Sequence, residues 1–179
     1  MKMWPWHNRS KSLTSRATRK IFIPAAILDR TVEVLQQSGH RGRSHEGVVY
    51  WAGRRVRDVC FIMTCVAPLA VTTGASFDTS SASNARVVAY LAEAELEMLG
   101  QVHCHPGEIV DHSEGDEEKA LMPYKGFLSV VVPHYARRGM RPLTMCGVHV
   151  WERSRFRRIG NREIESCFRI VDQFVDLRK

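Results

Sequence analysis

Two histidines one residue apart, then a proline, a serine and an aspartate, are the residues of this 179-residue chain best placed to do chemistry. The stretch reads QVHCHPGEIVDHSEGDEE, from Gln101 to Glu118. On a short strand, His103 and His105 project from one face while Cys104 points to the other. Pro106 ends that strand. Ser113 and Asp116 have the S-x-x-D spacing of a helix cap, which puts Asp116 in a first helical turn with its carboxylate directed back at the histidines. Two imidazole nitrogens and one carboxylate oxygen leave a fourth tetrahedral position for water, the pattern of a catalytic zinc site rather than a structural one. One zinc ion per chain is therefore the expected cofactor. It would acidify that water and polarise a carbonyl. Taken singly, the cap is more often structural and a His-x-His pair is usually not a metal site. The joint spacing favours the metal.

Several elements must position this stretch. Residues 21–39 are expected to form a short strand turning into a helix. Pro24 lies in its first turn, Ile27, Leu28, Thr31, Val34 and Leu35 fall at helical spacing, and Gly39 is the stop. After the basic loop HRGRSH, two strands are expected, GVVYWAGR and Val56–Val66, joined by a turn near Gly53-Arg54-Arg55. The Ser- and Thr-rich segment 72–84 reads as a loop or flap. Ser83 or Asn84 is expected to cap a helix running to Leu99, closed by Gly100. Val102–His105 is a brief strand, Ser113 opens a helix that Pro123 stops, and FLSVVV and LTMCGVHVWE read as strands. The segment from Glu163 to Leu177 fits strand or helix equally. Strands outnumber helices and several are consecutive, which predicts an α+β fold, a mixed sheet with helices packed on its faces.

Composition bounds the rest. With 44% hydrophobic and 25% charged residues the chain is ordinary for a globular protein. No apolar run approaches a membrane span, so no membrane partner is expected. Of the net charge of +7, six units come from Lys2, Arg9, Lys11, Arg16, Arg19 and Lys20, in a stretch without a single acid. Residues 1–20 are therefore read as a basic, flexible arm and 21–179 as a single domain. A second basic cluster, Arg137, Arg138, Arg141, Arg153, Arg155, Arg157, Arg158 and Arg162, could meet an acidic protein or nucleic acid, or be a solvated face. No pattern for reading nucleic acid accompanies it, so nucleic acid is not an expected partner. Five cysteines without CxxC spacing, several in apolar runs, suggest reduced thiols and a cytoplasmic setting.

H-x-H-P followed by S-x-x-D (His103, His105, Pro106, Ser113, Asp116) resembles the JAMM motif of the JAB/MPN metalloproteases. In that family a glutamate stands far upstream, near the start of a strand, with a glycine seven positions later. Here HEGVVYWAG places Glu46 and Gly53 in that relation. The resemblance covers roughly residues 21–152 and points to a compact prokaryotic-type member. It implies a cytidine-deaminase-like JAB/MPN core, with His103, His105 and Asp116 as zinc ligands. Glu46 would take a proton from water and pass it to the leaving amine, and Ser113 would donate to the oxyanion. Cys104 departs from the family's usual Ser or Thr. A Cys–His enzyme using Cys104 is the lesser reading, because strand alternation turns the thiol away. Glu108, Asp111 and His112 would line a groove or be solvated, and His134 and His149 would be core or surface histidines.

Many members of the family cut the bond after the C-terminal tail of a ubiquitin-like protein, which lies extended beside a strand. The resemblance thus implies an isopeptidase or peptidase acting on a ubiquitin-like protein or its conjugate. Deconjugation or precursor processing would follow, alongside conjugation-system enzymes and in some systems in antiphage defence. A non-catalytic scaffold is the alternative, but scaffold members lose ligands that this chain keeps. A DNA-repair-associated branch is the third reading, and the HPGEIVDHSEGD spacer lacks that branch's Pro/Gly-rich character.

Overall fold

A computed structural model describes residues 20–39, 43–118, 120–121 and 123–172. The expected basic arm lies outside them except for Lys20, which opens β1 (Lys20–Pro24) and donates from Nζ to the Ser166 carbonyl at 2.7 Å. Pro24 caps α1 (Ala25–Gln36), which buries Leu28, Thr31 and Leu35. Thr31 tolerates this burial because its hydroxyl donates to the Ile27 carbonyl and accepts from Trp51 Nε1.

The long pair β2 (Val48–Val56) and β3 (Val59–Val66) follows, antiparallel. Its turn lies at Arg57-Asp58, with Arg57 at φ 54°, and not at the glycine the sequence suggested. Gly53 instead sits inside β2 at a register shift, where a Cβ would fall 1.8 Å from the Phe61 carbonyl oxygen. Here glycine marks close backbone approach within a strand rather than a turn.

Residues 72–84 contain more structure than a loop. β4 (Ala70–Thr72) and β5 (Phe77–Thr79) pair as a small hairpin. Ser80, rather than Ser83 or Asn84, caps α2 (Ser81–Glu93) by accepting from the Ser83 N–H. That helix ends well before Leu99. Glu95 turns the chain at φ 53°, and Leu99 belongs to β6 (Glu97–Cys104), which pairs antiparallel with β2. The apolar spacing that read as helix is the start of a strand whose pairing with β2 overrides local propensity.

After β6 come the short α3 (Glu114–Glu118), β7 (Leu128–Val132), β8 (Gly147–Glu152) and β9 (Arg155–Arg158). α3 stops before the expected boundary at Pro123. Of the ambiguous C-terminal segment, the described residues are both things in turn, α4 (Asn161–Cys167) and then β10 (Phe168–Val171), and residues 173–177 lie outside them.

Among the described residues, eight strands form one mixed sheet in the order β10-β1-β3-β2-β6-β7-β8-β9. The α+β expectation holds. α1 covers one face of the central strands, over Val49, Trp51, Val102, Cys104, Val130 and Val148. α2 and the β4–β5 hairpin cover the other, with Phe77, Val87 and Leu91 against Val48, Tyr50 and Ala52. β6 and β7 are parallel, so the chain between them must cross back over the sheet. That crossover carries Ser113 and Asp116.

Candidate metal centre

β6 alternates strictly at its C-terminal end. Val102 and Cys104 enter the α1-side core, while Gln101 and His103 face the crossover. β2 runs antiparallel to β6 with Val48 opposite His103, so its N-terminus meets the C-terminal end of β6. Carried two residues back, this register sets Glu46 opposite His105. The Glu46 N–H donates to the Thr73 carbonyl at 2.8 Å, tying the glutamate to the hairpin. Glu46 is buried, and its charge helps raise the pKa of His105.

The crossover completes the group. His103 Nε2 lies 3.3 Å from one Asp116 carboxylate oxygen, His105 Nε2 lies 3.4 Å from the other, and the two Nε2 atoms are 3.2 Å apart. Among the described residues these three form the one His/Cys/Asp/Glu cluster with ligand atoms all within 4.8 Å. A tetrahedral ion with bonds of about 2.0–2.1 Å, the zinc range, holds its ligands about 3.3–3.4 Å apart. His105 is also set in the required tautomer. Its Nδ1 lies 2.9 Å from the Ile109 carbonyl, which can only accept, so the neutral ring carries its hydrogen there and leaves the Nε2 lone pair toward Asp116. Lone pairs and a carboxylate converging on one point repel each other unless a cation lies among them. The donor set fits a metal ion.

Ser113 backs the carboxylate. Its N–H and hydroxyl donate to Asp116 Oδ2 at 2.7 and 2.8 Å, and its Oγ accepts from the Asp116 N–H at 3.3 Å. The cap and the orientation of the Asp116 carboxylate toward the histidines are thus one structure. Burial acts to raise the Asp116 pKa, but His103, His105 and the Ser113 N–H outweigh it and hold the carboxyl well below the usual range. Burial likewise lowers the His105 pKa, and Asp116 and the Ile109 carbonyl reverse that, leaving the ring above its ordinary value.

Cys104 faces away. Its Sγ accepts from the Gly47 N–H at 3.3 Å, and burial pushes the thiol up to about 11. A neutral, buried thiol on the opposite face of the strand is not a nucleophile for this site. Of the loop residues, Asp111 pairs with Arg158 and Glu108 lies 4.0 Å from His134, both away from the ligands. Arg157 is held by Glu152 and Glu163, and Arg141 by Asp29, so part of the basic cluster is neutralised within the molecule.

No protein-family model matches the chain. A protein of Sinorhizobium fredii described as a probable metalloprotease is 28% identical over 123 residues, 66% of this chain and 74% of that protein. The relative's description agrees with the JAMM spacing and with the metal geometry it produces. The chain is similar to a probable metalloprotease and carries the spacing of the JAB/MPN metalloproteases. The fold also matches a solution structure of a Desulfitobacterium hafniense protein, with TM-score 0.61 and 14% identity over 86% of this chain and 94% of that one. A JAB1/MPN domain protein from Archaeoglobus fulgidus overlaps at TM-score 0.42 and 14% identity, over 80% of this chain and 97% of that one.

Several contributors to this candidate site had no role in the sequence reading. Phe77 packs its ring 5.4 Å from His103, the Ile109 carbonyl orients His105, and Thr73 holds the Glu46 backbone. None carries a motif. Ser129 did leave a signal, as the lone polar residue in the apolar run FLSVVV.

Proposed function

We propose that this chain is a zinc-dependent peptidase or isopeptidase. On this reading it hydrolyses the bond after the C-terminal tail of a ubiquitin-like protein, in deconjugation or precursor processing. The observation that carries the metal chemistry is the convergence of His103 Nε2, His105 Nε2 and the Asp116 carboxylate at 3.2–3.4 Å, with Glu46 set opposite His105 by strand register.

His103, His105 and Asp116 would hold the zinc. When bound, zinc supplies Lewis acidity, polarising a carbonyl and acidifying water. Glu46 accepts a proton from the attacking water and delivers it to the leaving amine nitrogen, so that one carboxylate serves as base and then as acid. Its burial keeps bulk water from competing for that proton. The Ser113 hydroxyl, which donates to Asp116 at rest, would turn to the oxyanion as charge develops there. Exposed Leu69, Val71 and Ile109 lie on the two segments that touch Glu46 and His105, and they suit an extended tail with apolar side chains.

No helix among the described residues is long and apolar enough to cross a membrane, and all five cysteines are free thiols. A cytoplasmic role beside conjugation-system enzymes, in antiphage defence where such systems serve it, completes the proposal. The test is cleavage of a linear fusion between a small β-grasp protein and a reporter. Glu46→Gln should retain zinc and lose hydrolysis by at least about 100-fold. Full activity in that variant refutes the mechanism.

A further inference from the structure

The crossover residue just before Ser113 sits in a socket that the proton chemistry does not use. His112 Nε2 lies 2.9 Å from Ser129 Oγ, and Gln101 Nε2 donates to the same oxygen at 3.4 Å. The His112 ring stacks on His149 at 3.9 Å and meets Phe156 edge-on at 4.8 Å. Register explains the socket: Gln101, Ser129 and His149 are direct partners across β6, β7 and β8, in the row next to that of His103. The three are 0%, 0% and 4% exposed, and a polar row across an otherwise apolar sheet is costly unless hydrogen-bonded, which Ser129 is to both Gln101 and His112.

The same segment is held at its neighbouring residues. The Val110 carbonyl lies so close over β8 that a Cβ on Gly147 would fall 1.8 Å from it, and Asp111 pairs with Arg158. α3, at five residues, is too short to fix its own position, yet its first turn must present Asp116 to two histidines on another element.

Resting on the metal reading above, we propose that His112 is a positioning residue for the metal site. Docked on Ser129 and His149, it fixes the Ser113–Asp116 cap against His103 and His105. Phenylalanine would fill much of the same space and stack as well. What histidine adds is a directional bond to Ser129 that sets where the following residue begins the cap.

The full chain, stripped of metal, is titrated with cobalt(II) and with zinc against a chromophoric chelator. The variants are His112→Phe, His112→Gln and Ser129→Ala, with the thermal midpoint of each metal-free protein measured in parallel. His112→Phe and Ser129→Ala should weaken zinc affinity about tenfold or more and shift the visible cobalt absorption, because Asp116 no longer sits at its corner. His112→Gln, whose amide nitrogen can reach Ser129, should bind close to wild type. If His112→Phe lowers only the metal-free midpoint and leaves zinc affinity and the cobalt spectrum unchanged, His112 is packing alone and the proposal falls. If His112→Phe does not fold, Ser129→Ala against His112→Gln decides in the same way. A wild-type chain that takes up neither metal refutes the metal reading itself, a result distinct from equal binding by wild type and His112→Phe.

Discussion

The two faces of β6 carry different work on alternate residues of one strand. Val102 and Cys104 point into the core under α1, beside Val49, Trp51, Val130 and Val148. Gln101, His103 and, at the strand's end, His105 point the other way, toward the hairpin, the crossover and Asp116. One face stabilises the sheet through apolar burial, and the other holds polar groups whose cost is met by mutual hydrogen bonds or a cation. A substitution on one face should therefore affect stability with little loss of chemistry, and on the other the reverse.

The largest expected effect is on the polar face. His103→Ala should abolish stoichiometric zinc binding and with it hydrolysis, by metal analysis of the purified chain. A fully metallated His103→Ala would erase the distinction between the faces. On the apolar face, Val102→Ala should cost about 2 kcal/mol in denaturant unfolding, and zinc content should not change. Cys104→Ala should keep hydrolysis, which separates this site from a thiol enzyme.

A subtler distinction is in pH. Burial pushes His112 down to about 3 and lowers His149 as well, so the unfolded chain takes up protons on both rings before the fold does. Stability should fall as pH drops below about 6.5, by up to about 1.4 kcal/mol per unit for His112 until its folded value is reached. Metal-free His112→Phe should show a correspondingly flatter dependence between pH 7 and pH 4 than the wild-type chain. Parallel curves would mean that His112 is not held neutral by its socket.

The cluster of His103, His105 and Asp116 was legible because each of its parts is local. Strand alternation orients His103 and His105, and the S-x-x-D cap orients Asp116. Only the family resemblance drew attention to Glu46, since its place near that cluster depends on the register between β2 and β6, fixed by contacts some 55 residues apart. Leu99 was misread for a related reason, because a strand pairing displaced a helical pattern. Phe77 and the Ile109 carbonyl act through tertiary contact, and a backbone oxygen leaves no residue-type trace. The C-terminal segment fitted strand and helix equally because its described residues contain one of each.

The central claim is tested most directly by a crystal of the zinc-loaded chain measured at the zinc absorption edge. The expected result is a single strong anomalous peak bounded by His103 Nε2, His105 Nε2 and the Asp116 carboxylate. No peak there, or a zinc held by other residues while these three stay bare, would contradict it.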